Sequence, residues 1–197
     1  MTSLVVISAG LGQPSSTRLL ADQLSAAAAR ELLGSGESVA VSVIELREIA
    51  HQITDHLLTG FPGEKLRAVL DSVAAADALI VVTPVFSASY SGLFKSFFDV
   101  LTTDALAGKP VLIAATGGSA RHCMILDHAL RPLLSFLRAV VLPTGIFAAT
   151  ADFGSPELAG RVQAAARELA TAVSGARPAP RKNTASSFEA LLAAHRG

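Results

Sequence analysis

The residues best placed to do chemistry lie in loops that follow short apolar runs. In SAGLGQPSSTRLL, residues 8–20, Ser15, Ser16 and Thr17 stand where a glycine-containing loop turns into a helix. Their hydroxyls and the free backbone N–H groups of a first helical turn converge at the positive end of the helix dipole, which suits a phosphate. Arg18 can add charge there. The same serines also serve as plain N-caps in helices that bind nothing, and the loop by itself leaves both readings open. Its spacing is neither G-x-x-x-x-G-K-[ST] nor G-x-G-x-x-G, which disfavours a nucleoside triphosphatase and a dinucleotide-binding Rossmann domain. A second loop, TPVFSASYSGLFKSFFD at residues 83–99, offers backbone N–H groups between Pro84 and Ser89 and the apolar face of Phe86. That combination suits the polar edge of a flat ring. Phe94, inside the following helix, is expected in the core. Ser91 in SYSGL lacks the G-x-S-x-G context of a hydrolase elbow, and Asp99, Asp127 and His128 form no recognisable catalytic set, so no general acid, base or nucleophile is assigned.

The elements that must hold these loops alternate along the chain. Apolar runs predict strands over 4–8, 39–46, 78–83, 110–116 and 139–147, the last interrupted by Pro143. ALIVVT and PVLIAAT are continuously apolar, the pattern of strands buried on both faces of a parallel sheet. Helical spacing predicts helices over 16–33, 65–75, 92–101, 122–138 and 155–173, with 47–63 irregular. The expectation is a doubly wound α/β fold: a five-stranded parallel sheet in a three-layer α/β/α sandwich, with binding beyond the carboxyl ends of the strands. One domain over 1–175 is expected, then a linker (GARPAPRKN) and a short terminal helix containing Phe188, Leu191 and Leu192 within 176–197.

Composition narrows the function classes. The 197 residues carry 16 basic and 16 acidic side chains, which leaves no uniform field to attract nucleic acid or an anionic membrane. The single cysteine, Cys123, excludes an intrachain disulfide and a multi-cysteine metal site. The beginning, MTSLVVISAG, has no basic n-region and an apolar run too short for a signal peptide or a membrane span, so a cytoplasmic location is expected.

Taken together, SAGLGQPSSTRLL, TPVFSASYSGLFKSFFD and ATGGSARHCMILDHALRPLL resemble the NAD(P)H-dependent FMN reductases, and within them the reductases that serve alkanesulfonate and other luciferase-like monooxygenases. The resemblance runs from the first strand to about Phe147 and implies a flavodoxin-like fold. It implies an FMN phosphate at Ser8, Ser15, Ser16 and Thr17, and a flavin ring against Pro84, Val85, Phe86 and Ser87. It also brings Thr116, Gly117, Gly118 and Ser119 of the third loop toward the ring and its ribityl side, glycine allowing close backbone approach. Arg121 and His122 would meet the nicotinamide cofactor or incoming flavin, the alternative for His122 being a solvated residue near a helix start. Leu11 and Gln13 stand where many relatives carry an arginine, so phosphate neutralisation falls to hydroxyls, amides and Arg18. His128 falls where some of these reductases carry an inserted residue that makes a π-bulge, the alternative being a regular α-helix.

The activity implied is hydride transfer from NADPH or NADH to FMN, the choice of nicotinamide left open, with reduced flavin supplied to a monooxygenase. FMN is expected to behave as a substrate of micromolar affinity, about −8 kcal/mol. A quinone or azo reductase shares the fold and cofactor and is the nearest alternative. A non-enzymatic electron carrier is disfavoured by the neutral charge balance. A homo-oligomer, dimer or tetramer, is expected, assembled through the helices containing Phe94–Phe98 and Leu126–Leu137, because LFKSFFDVL carries more apolar surface than one buried face requires.

Overall fold

In a computed structural model, which describes residues 1–175, the chain alternates strands and helices. The strands are β1 (Thr2–Ser8), β2 (Val39–Glu45), β3 (Ala78–Phe86), β4 (Ser89–Tyr90), β5 (Pro110–Gly117), β6 (Val140–Val141) and β7 (Ile146–Ala149). The helices are α1 (Ser16–Gly34), α2 (Ala50–Thr59), α3 (Glu64–Ala75), α4 (Gly92–Asp99), α5 (Arg131–Phe136) and α6 (Pro156–Gly175). The sheet order is β2-β1-β3-β5-β6, with β7 also paired to β5 and the short β4 antiparallel to β3. All other pairings are parallel. The order reverses between β1 and β3, and the carboxyl ends of the strands at such a switch point are where doubly wound sheets bind ligands.

Alternation along the central strands builds two cores. Val5 and Ile7, Leu79 and Val81, and Val111 and Ile113 face one side, packed with Ile53, Leu66, Phe94, Phe97 and Phe98. Leu4 and Val6, Ile80 and Val82, and Leu112 and Ala114 face the other, under Leu20 and Leu24 of α1 and Leu158 and Leu169 of α6. This is the expected three-layer sandwich.

The departures are local. The stretch 47–63, expected to be irregular, holds a 3-10 turn at Leu46–Ile49 and the helix α2, which ends at Gly60 in the left-handed region (φ 77°). Ile53 is the single buried residue of α2 while Leu57 and Leu58 are exposed, so the helix docks on the core through one side chain. The fifth strand is split: β6 pairs with Val111, β7 with Ala114 onward, and Arg131 donates to the carbonyls of Leu142 and Pro143 at the break (2.8 and 3.0 Å). Pro143 has no N–H to carry the ladder across. The helix expected over 122–138 is a 3-10 turn at Ala120–His122, a π-helical turn at Leu126–Leu130 and α5. Arg131 N donates to Leu126 O, five residues back, and Pro132 directly after it cannot donate to any α-helical ladder. His128 therefore lies in a π turn and not in a regular α-helix.

Lys109, immediately before β5, is 4% exposed and donates through Nζ to the carbonyls of Val73, Ala74 and Ala76 (2.8, 3.0 and 2.6 Å). It thus closes the negative end of α3. No helix among the described residues is long and apolar enough to cross a membrane. The linker and terminal helix expected within 176–197 lie outside the described residues.

Candidate functional site

Parallel register brings the strand ends level: Ser8 lies beside Val82 and Glu45, and Pro84 beside Thr116. Ser8, Val82 and Thr116 continue the alternation that points toward α1. The first turn of α1 meets them there. Thr17 is buried, and its Oγ1 shares a 2.8 Å hydrogen bond with Thr116 Oγ1. One proton can lie in that bond, so the other hydroxyl keeps its own to give to a ligand. Ser8 Oγ is buried and has no hydrogen-bond partner. An orphaned buried hydroxyl costs about 1–3 kcal/mol, which a ligand oxygen would recover.

Ser15 is the N-cap of α1, its Oγ accepting from Arg18 N at 3.1 Å, so the capping role considered from sequence is real. The capping bond uses a lone pair and leaves the Ser15 proton, while the N–H groups of Ser16 and Thr17 have no intrahelical acceptor. Ser16 is exposed at the mouth. Gly10 lies directly against this turn, since a Cβ on it would sit 2.2 Å from Ser15 Oγ and 3.0 Å from Thr17 Cβ.

Arg18 departs from expectation. Its Nε donates to Asp22 (2.8 Å) and its Nη1 to Glu45 (2.5 Å). The Asp22 hydrogen bond is the largest cause of a guanidinium pKa raised above its ordinary value, burial opposing it. Arg18 is therefore engaged with two carboxylates.

The second loop is a hairpin, which the sequence does not announce. β3 runs on to Phe86, pairs with Ser89, and turns through Ser87 and Ala88 with φ of 48° and 63°. Positive φ at both central positions is the type I′ geometry that usually selects Asn-Gly. Two non-glycine residues held there store local strain, a feature concentrated at functional sites. Thr83 Oγ1 accepts from Ser91 N, and Ser91 Oγ caps α4 by accepting from Phe94 N, anchoring both ends of the loop. Phe86 is 46% exposed at its tip, Pro84 and Val85 are half-buried, and Ser87 is exposed. Phe94 is in the core, as expected.

In the third loop Gly117 pairs with Ala149 at the end of β5. A Cβ on Gly117 would lie 3.0 Å from Phe147 Cζ and 3.7 Å from His122 Cδ2. Packing of Phe147 accounts for this glycine, whereas Gly118 faces open space, as close approach by a ligand requires. Ser119 Oγ accepts from Arg121 N at 3.3 Å, and Arg121 and His122 are exposed at the rim.

The structure thus gathers Ser8, Thr17, Pro84 and Thr116 at one edge, places Ser15 and Ser16 over it, and leaves Phe86, Ser87, Gly118 and Ser119 on the two flanking loops. Phe147 and the Glu45 carboxylate, neither of them legible as site neighbours, complete the surroundings.

Residues 2–154 match the family model described as NADPH-dependent FMN reductase. The chain belongs to the NADPH-dependent FMN reductase family. It is 41% identical over 177 residues to an FMN reductase (NADPH) of Pseudomonas aeruginosa, covering 87% of this chain and 92% of that one. It is 41% identical over 186 residues to the NADH-dependent FMN reductase SfnE of Pseudomonas putida, covering 92% and 97%. Among solved structures, an oxidoreductase from Corynebacterium diphtheriae superposes with a TM-score of 0.86 at 52% identity, covering 89% of this chain and 98% of the other. In a family of FMN reductases, an orphaned hydroxyl, a spare hydroxyl proton and two N–H groups at one helix start fit the phosphate of FMN.

Proposed function

We propose that this protein reduces FMN with NADPH or NADH and releases the reduced flavin to a flavin-dependent monooxygenase of the luciferase-like type. The observation that carries the reading is the edge formed by Ser8, Thr17 and Thr116 at the start of α1, where a buried hydroxyl waits for an acceptor or donor. Ser8, Ser15, Ser16 and Thr17 would hold the phosphate. Pro84, Val85, Phe86 and Ser87 would border one side of the ring, and Thr116, Gly117, Gly118 and Ser119 the other.

FMN, held there, would supply the hydride acceptor for a nicotinamide. The chain's own residues bind and orient. The hairpin, anchored at both ends, and the third loop would border the plane of a ring, which supports positioning as the protein's contribution. Arg121 and His122, exposed at the rim, are the groups an incoming nicotinamide dinucleotide would meet. The exposure of Phe86, Ser87 and Gly118 leaves a ring between the loops reachable from solvent, which supports release.

The test is steady-state oxidation of NADPH and of NADH with FMN, FAD or riboflavin added. Saturable stimulation by FMN is expected. Reduction of a quinone by protein-retained flavin, with no stimulation by added FMN, overturns the reading in favour of a quinone or azo reductase.

We also propose that the chain self-associates. Phe94, Phe97 and Phe98 are all buried within the chain, so the apolar density of α4 itself does not call for a partner. The support comes from a groove of about 570 Å³ between α4 and the π turn with α5, where Phe136 is 79% exposed beside Tyr90, Leu133 and His128. A second copy covering it is expected to give at least twice the 20.2 kDa chain mass in light scattering at micromolar concentration. A monomer contradicts it.

A further inference from the structure

We infer that Glu45 sets how tightly this site holds a flavin phosphate, acting as a positioning residue that turns Arg18 and Arg47 onto itself and keeps the first loop electrically neutral. The inference rests on the reading of the first loop as a phosphate cradle and adds to it a residue from outside that loop. Glu45 ends β2, in register with the orphaned Ser8 on β1, and lies on the same face of β2 as Val39 and Val43, toward α1. Its side chain is 13% exposed. One oxygen accepts from Arg18 Nη1 (2.5 Å) and the other from Arg47 Nε (2.8 Å). Arg18 Nε is taken up by Asp22 at 2.8 Å. Gln13 at the loop tip, with its amide oxygen turned toward Arg47, accepts from both Nη atoms (2.7 and 2.5 Å).

Two guanidinium groups and two carboxylates are therefore linked beside the first turn of α1, with a formal sum of zero. Guanidinium is the side chain best suited to grip phosphate, because its planar fork matches the oxygens and its charge is permanent. Here it stands three residues past the N-cap of α1 and is committed elsewhere. A half-buried carboxylate one strand away from Ser8 also repels a phosphate dianion directly, and near a protein surface that repulsion is larger than in bulk water. The cluster weakens FMN specifically through its phosphate and leaves the ring contacts alone. That is the property a reductase needs when its flavin must leave after each turnover.

The experiment compares dissociation constants of FMN and riboflavin, read from quenching of flavin fluorescence, for the wild type, Glu45→Gln and Glu45→Asp at low and high salt. Glu45→Gln keeps hydrogen-bonding capacity and removes one negative charge. It is expected to tighten FMN about fivefold, to leave riboflavin unchanged, and to lose the gain at high salt. Glu45→Asp keeps the charge and should stay within about twofold of the wild type. Asp22→Asn, at a half-buried position on α1, makes the same test should Glu45→Gln not fold: about twofold tightening for FMN alone is expected. Unchanged FMN affinity in these charge-removing variants, or an equal shift for both flavins, overturns the inference. A wild type that binds neither flavin overturns the cradle reading and this inference with it, whereas a wild type that binds FMN indifferently to Glu45 overturns the inference alone.

Discussion

Gly10→Ala is expected to weaken FMN at least about tenfold while the protein still folds. The added Cβ falls 2.2 Å from Ser15 Oγ, and rotating that hydroxyl away abandons the cap on Arg18 N. Loss of an N-cap costs about 1 kcal/mol. The second contact, 3.0 Å to Thr17 Cβ, has no such escape, because Thr17 is buried and bonded to Thr116. The loop or the first turn of α1 must shift by a few tenths of an ångström, and every donor aimed at the phosphate shifts with it. Losing two hydrogen bonds to a charged group at about 1.5–3 kcal/mol each exceeds tenfold. Fluorescence titration with FMN, beside a thermal melt, checks this. Unchanged affinity in a folded variant would show that the first loop does not hold the phosphate.

Lys109→Met should lower the unfolding free energy by roughly 2–4 kcal/mol, the largest stability effect expected from one surface-distant polar residue. Three backbone carbonyls at the end of α3 accept from this one ammonium, matching its three N–H bonds. Methionine fills the volume of the stem and supplies no donor, so three carbonyl oxygens lose the ammonium while α3 loses the charge at its negative end. Denaturant unfolding with unchanged m-value is the measurement. FMN affinity should hardly change, since Lys109 lies at the opposite end of β5 from Thr116. Equal stability of the two proteins would mean that water replaces the ammonium without loss.

What could be read in advance follows from what leaves a periodic trace. Strands buried on both faces, such as Ala78–Val82 and Val111–Ala115, are continuous apolar runs, and their order with the helices between them determines a doubly wound sheet. The loops at their carboxyl ends follow from that order, which makes Ser15 to Thr17 and Pro84 to Ser89 legible as candidates, whereas Thr116 to Ser119 rest on the family resemblance. α2 was not legible, because Ile53 is its one buried residue. The β3–β4 turn was hidden because Ser87 and Ala88 occupy left-handed positions without the Asn-Gly signal. The π turn at His128 adds one residue to a helix without disturbing its apolar spacing. The engagement of Arg18 leaves no local trace, because its partner Glu45 is 27 residues away and their meeting depends on β2 lying parallel beside β1. Phe147 behind Gly117 depends likewise on a strand that pairs only after the chain breaks at Pro143.

On the proposed function, FMN is turned over and released. Protein saturated with FMN and passed through a gel-filtration column tests it most directly, with the absorbance spectrum of the eluted peak and its NADPH and NADH oxidation recorded before and after FMN is added back. The account predicts a largely colourless protein peak whose activity returns in a saturable way with added FMN. Stoichiometric yellow flavin in the peak, with nicotinamide oxidation indifferent to added FMN, would contradict it.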